Sequence, residues 1–317
     1  MVNGLKRLVL RVIHAAPRLF PLSLIFTVMS ALIRARTLRR HRYLAAIAEA
    51  KTEASPTGAL LWLDRVTADR SRRSPYPFDA CLLLPGQGRA SHLHEVFSVL
   101  LASPRVESVA FYWDEAALAD DLPLWMPRAD RLDPAADERG EVDAPSQAEI
   151  RAFVQRGHHP VTLPPPALRE AETLLKRLVG SDLAVCVNLP PSAGWLAGPL
   201  AAEFPLVHFF QLSPADGEAP DPPTNLVPIH TWGFSLHERM ALARGTDAYL
   251  GHLDVLAAMA VMAGRPTALI AEPGEEDGPP EADGERVLWV PAETSALVKA
   301  LHGFVDRHSR RISESGH

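Results

Sequence analysis

The sequence predicts an α/β protein: two domains built on parallel sheets, preceded by a basic, apolar helical segment. Three observations carry that expectation. The segment from Ala80 to Tyr112 reads apolar run, Pro/Gly turn, helical periodicity, apolar run, which is a β-α-β unit. A second strand–helix alternation runs from Leu168 to Arg307. Between the two lies a stiff, proline-rich joint, GHHPVTLPPPA, and a chain of 317 residues is long enough for two such units. The expected boundaries are 1–50 for the leading segment, 51–160 for the first domain and 161–317 for the second, each domain Rossmann-like.

The leading segment carries nine Lys and Arg and no acid before Glu49, although the whole chain has a net charge of -6. The remainder is therefore distinctly acidic. This argues against a general nucleic-acid binder and for one local basic element, whose natural partners are anionic lipid or an acidic surface. Its apolar core, Leu19 to Ile33, is shorter than the ~20 residues of a spanning helix. No small-residue cleavage site follows it. An interfacial helix lying on an anionic membrane surface through residues 1–48 is expected, with packing on the domain or on a second subunit as the alternative.

In the first domain, Gly58 to Val66 is expected as a strand and the basic run after it as a loop. Ala80 to Leu84 is a buried strand, Pro85 to Gly88 a turn, His92 to Leu101 a helix and Val106 to Tyr112 the next strand. Asp114 to Gly140 is acidic and proline-rich, a long surface loop or short irregular helices. Pro145 to Gln155 is a further helix. In the second domain, strands are expected at Leu183–Asn188, Leu206–Phe210, Asn225–His230, Ala248–Gly251, Thr267–Ala271 and Arg286–Val290. Helices are expected at Leu168–Val179, after Gly194, and at Ser235–Arg244, Asp254–Ala263 and Thr294–Arg307. Cys81 and Cys186 sit in separate apolar runs and are expected as buried free thiols, in keeping with a reducing compartment.

Open parallel sheets bind ligands beyond the carboxyl ends of their strands. Three loops of the second domain meet that rule. Asn188, Ser192 and Gly194 lie in the first, where successive amides could hold an anion. The second holds Ser235, His237 and Glu238; Ser235 with Glu238 also forms a capping-box pattern. The third is Gly251, His252 and Asp254. There glycine would let a ligand approach, and histidine would touch a phosphate or hydroxyl. Asp254 would orient the loop, accept a ribose hydroxyl, or simply cap its own helix. In the first domain, Arg89 in PGQGR is a candidate clamp for an anion. His92 and His94 are candidate bases but, two residues apart, not a zinc pair. No nucleotide-binding glycine fingerprint, P-loop or nucleophile elbow is present.

Leu236-His237-Glu238, Gly251-His252-Leu253-Asp254, Gly264-Arg265-Pro266 and the loop CVNLPPSAGW together resemble the carboxy-terminal domain of GT-B-type glycosyltransferases, in particular the bacterial heptosyltransferase-like enzymes. That resemblance implies a two-domain GT-B-like fold and transfer of a sugar from a nucleotide-sugar donor to an envelope or lipid-linked glycan acceptor. It implies no required metal and no cofactor beyond the nucleotide-sugar as co-substrate. Asn188, Ser192, Gly194, His237, Glu238, Gly251, His252 and Asp254 would lie on the donor side. The attacking hydroxyl would lose its proton to a first-domain base, His92 or His94, with Arg89 beside the leaving diphosphate. A cytoplasmic protein, peripheral at the inner membrane, is expected. The alternative is a non-catalytic member of the same fold that binds nucleotide-sugars or acts as a scaffold in polysaccharide assembly.

Overall fold

The computed structural model describes residues 45–51, 53–73, 77–84, 92–118, 139–156, 160–180, 182–214, 222–270, 287–291 and 293–315. The leading basic segment lies outside them except at its end, where Ala45–Glu49 forms strand β1. This corrects the helical reading of those residues. The alanines that suggested a helix are small enough to sit at the centre of a sheet, and Ala46 and Ala48 are fully covered.

The first sheet is wholly parallel, in the order β3-β2-β1-β4, with β2 at Phe78–Leu83, β3 at Val106–Tyr112 and β4 at Arg139–Glu141. β1 leads into helix α1, Pro56–Arg73, so the strand expected at 58–66 is corrected to helix, and the basic run expected as a loop is helical as far as Arg73. The local signals were present. Ser55 accepts the Gly58 amide through its hydroxyl at 3.3 Å, and Pro56 occupies the first helical position. The run Ala59-Leu60-Leu61-Trp62-Leu63 hid the helical period because all five residues are buried. Helices α2 (Leu93–Leu101) and α3 (Gln147–Arg156) also belong to this unit.

The second sheet has six parallel strands in the order β10-β9-β8-β5-β6-β7. They are β5 Leu183–Asn188, β6 Val207–Gln211, β7 Leu226–Pro228, β8 Ala248–Gly251, β9 Thr267–Ile270 and β10 Val287–Val290. Starting from β5 this is the doubly wound Rossmann order, and it reverses direction between β5 and β8. One face is covered by α4 (Pro165–Leu178), α6 (Leu236–Gly245) and α7 (Val255–Met262). The other face carries α5 (Ala197–Glu203) and α8 (Thr294–Ser315). Both expected Rossmann-like α/β units are therefore present. α8 runs further than the helix expected at 294–307, and the loop after Asn188 contains a 3-10 helix, Pro191–Leu196.

Helix α7 sits at the seam. Val255 to Ala260 are all buried, because α7 packs on its own sheet and on α6, and also meets α1 and α3 of the first domain. A single apolar cluster consequently extends from Trp62 and Phe153 through Met240 to Leu256 and Met259. Polar ties run beside it: His237 Nε2 donates to the Ser98 carbonyl at 2.8 Å, and Arg239 pairs with Glu95. Cys81 and Cys186 are buried free thiols, as expected, and burial pushes the Cys186 thiol up to about 12. No helix among the described residues is long and apolar enough to cross a membrane.

Candidate functional site at the strand-order reversal

The strand order reverses between β5 and β8, and it is at the carboxyl ends of strands beside such a reversal that open α/β sheets place ligands. Asn188 is the last residue of β5, and Asp254 caps the helix that follows β8. They meet there: Asn188 Nδ2 donates to Asp254 Oδ2 at 2.8 Å. The other carboxylate oxygen accepts the amides of Leu256 and Ala257, both at 2.9 Å. Asn188 also turns its carbonyl to the third loop, accepting the His252 amide at 3.0 Å and the His252 ring Nδ1–H at 2.9 Å. That bond fixes the ring, whose Nε2 stands 3.6 Å from Asp254 Oδ2.

Tyr249 completes the network. Its hydroxyl lies 3.2 Å from Asp254 Oδ1 and 3.3 Å from the His252 carbonyl. Burial, reinforced by the Asp254 charge, pushes the phenol well above its ordinary value, so it remains a donor at neutral pH. Nothing in the sequence reading singled out Tyr249, since a tyrosine suits a buried strand. The available signal was its place two residues before Gly251, on the same side of the strand.

Gly251 was expected to admit a ligand. A Cβ there would instead stand 2.2 Å from the Asn188 carbonyl oxygen, so the glycine admits the neighbouring strand. Asp254 was offered three roles, of which its hydrogen bonds show capping and loop orientation. The amides of Leu253, Asp254 and Val255 take no acceptor among the described residues. On the loop after β5, Gly194 is buried and Ser192 exposed, and the Ala193 amide is used by the Pro190 carbonyl at 2.8 Å.

Ser235 and Glu238 form the full capping box of α6. The hydrogen bonds from Ser235 hold the Glu238 carboxyl below its usual range, while Glu170, lying against it, is pushed up. His237 turns to Ser98 in the first domain and so ties the two units together. His92 joins that tie indirectly, its Nδ1 lying 3.2 Å from the Glu95 carboxylate that pairs with Arg239. His94 is exposed on α2. Arg89 lies outside the described residues. Asn188, Gly251, His252 and Asp254 thus form one cluster, His237 and His92 belong to the seam, and Glu238 stays with Ser235 and Glu170 of the second unit. Among the described residues, no group of three or more His, Cys, Asp or Glu is arranged to hold a metal.

No family model and no curated protein matches the chain. Solved structures with a similar fold include the E. coli ADP-heptose LPS heptosyltransferase II, at 10% identity and TM-score 0.49, covering 84% of this chain and 99% of that one. A glycosyltransferase family 9 protein from Veillonella parvula gives 9% identity and TM-score 0.49, covering 84% and 98%. The E. coli heptosyltransferase WaaC with ADP-2-deoxy-2-fluoro heptose gives 15% identity and TM-score 0.39, covering 83% and 99%. Likeness at this level is one of fold and says nothing of substrate or activity.

Proposed function

We propose that this protein is a glycosyltransferase that moves a sugar from a nucleotide-sugar donor to an envelope or lipid-linked glycan acceptor, without a required metal. The observation that carries the reading is the Asn188–Asp254 hydrogen bond across the order reversal of the second sheet. It presents the Leu253–Val255 amides at the point where a doubly wound sheet receives a diphosphate. The donor would lie along that rim, with its diphosphate on these amides and its hydroxyls toward His252. Loop amides rather than a cation would carry the charge released on the leaving diphosphate. A base from the first domain, His92 or His94, would take the acceptor proton.

A second reading is favoured by one observation. His92 is engaged with Glu95 and His94 is exposed on α2, so neither candidate base is drawn into the Asn188–Asp254 cluster. A member of the fold that binds nucleotide-sugars without turnover, as a scaffold in polysaccharide assembly, fits that feature. Isothermal titration with a panel of nucleotide-sugars, followed by product analysis with glycan acceptors, separates the two. Binding with sugar transfer supports the transferase, binding alone supports the scaffold, and a panel without any binding removes both.

The basic segment before β1 would hold the protein at an anionic, cytoplasmic membrane face. Flotation with anionic vesicles should carry the full chain and leave a variant lacking residues 1–44 in solution. Equal flotation of the two would remove the anchor.

A further inference from the structure

Helix α2 stands between the parallel strands β2 and β3, and α6 between the parallel strands β7 and β8. A crossover helix in a parallel sheet begins beside the carboxyl end of the strand before it. The opening turns of α2 and α6 therefore lie at the carboxyl ends of their own sheets. Across the seam these two turns meet, through Glu95 and Arg239.

Glu95 is shared between the units. Its Oε2 lies 3.2 Å from His92 Nδ1, and its Oε1 takes the Arg239 guanidinium. An ionised carboxylate only accepts, so the ring nitrogen facing it is the one that carries the proton. Nε2 of the neutral ring is then the acceptor. The His92 side chain is 55% exposed, whereas Glu95 and Arg239 are 15% and 24% exposed. An accessible imidazole is thus steered by two largely covered charges.

A histidine and a glutamate three apart at a helix start would be an ordinary local pair. The arginine supplied by the other unit sets this one apart. Its Nε is buried with no acceptor among the described residues, a cost that the fold bears while the guanidinium stays on Glu95. His237 tightens the same contact through the Ser98 carbonyl, at 2.8 Å and about one turn along α2 from Glu95. A general base needs a further group to fix its tautomer and direction. His92 has one, and the His94 side chain has no partner among the described residues.

We propose that Glu95 and Arg239 are positioning residues that hold His92 as the Nδ1–H tautomer, with Nε2 open to take a proton, so that the base is set by the contact between the two units. Its use in sugar transfer rests on the transferase reading, whereas the tautomer and its dependence on Arg239 do not. In that use the acceptor hydroxyl gives its proton to Nε2 as its oxygen bonds the sugar carbon. The electrons of the sugar–diphosphate bond leave with the diphosphate.

The tautomer is read without substrate by long-range nitrogen–proton NMR spectra of the full chain carrying isotope-labelled histidine. Mildly alkaline buffer keeps an ordinary imidazole neutral, and His92→Gln identifies the signal. Wild-type His92 should be Nδ1–H. Glu95→Ala and Arg239→Met should each move it to the Nε2–H form, and melting curves check that both variants are folded. An Nε2–H tautomer in the wild type, or an Nδ1–H tautomer kept in either variant, would overturn the proposal. With a donor and acceptor that turn over, Glu95→Ala and Arg239→Met should lower kcat about 10-fold and His92→Gln about 100-fold, with KM little changed. Equal kcat for wild type and His92→Gln would also overturn it. Absence of turnover with every donor sinks the transferase reading alone, and the spectra still decide the positioning.

Discussion

Asp254→Ala should destabilise the protein by about 2–4 kcal/mol, the sum of a lost helix cap and buried donors left without an acceptor. The carboxylate takes the Asn188 amide on one oxygen, and the Leu256 and Ala257 amides with the Tyr249 hydroxyl on the other. Alanine removes all four acceptor contacts at once, and water reaches the wholly buried Tyr249 poorly. Asp254→Asn keeps one oxygen and should cost less, because its amide nitrogen can oppose only one side of the network. Urea unfolding of the three proteins measures the order wild type, Asn, Ala. If Ala and wild type unfold at the same midpoint, the network is not the fastening described. Both variants should also lose nucleotide-sugar affinity, since the Leu253–Val255 amides are aligned through the same carboxylate.

Trp62→Ala should cost about 3–5 kcal/mol, in the range of buried aromatic truncations. Trp62 is 0% exposed and stands edge-on to Phe78 at 6.2 Å. Its indole Nε1 donates to the Ile47 carbonyl at 3.1 Å, so it also fastens β1. The indole presses close to the β4 backbone, where a Cβ on Gly140 would fall 2.8 Å from it. Emptying that volume loosens β1 and β4, the two strands that the indole touches. Trp62→Phe keeps much of the contact and should lose about 1–2 kcal/mol, mostly the hydrogen bond. Thermal and denaturant melts read both values. A loss under 1 kcal/mol for Trp62→Ala would mean the site collapses freely around the missing ring.

The second domain was largely legible in the sequence. Strands 183–188 and 248–251 fall where the apolar runs end at turn-forming residues, and the Ser235/Glu238 and Asp254 caps announced their helices. The first domain was less so, for a physical reason. α1 is covered by its sheet on one side and by α7 near its other face, so its apolar residues are not confined to one stripe and the 3.6-residue period is blurred. β1 is alanine-rich and weak in strand propensity, and only pairing on both sides holds it extended. With β1 misread, the strand-order reversal at β1/β4 could not be seen. The site at β5/β8 was found from glycine, histidine and aspartate near strand ends. The tyrosine that anchors it was not, because a buried hydroxyl leaves no pattern of its own.

The enclosure of α7 by both units bears on how the molecule could work. Two lobes glued by an oily helix cannot swing open without exposing that glue to water, so large rigid-body gaping is expensive here. Traffic to and from a site at the strand ends would then fall to the short segments there, and the lobes should melt as one.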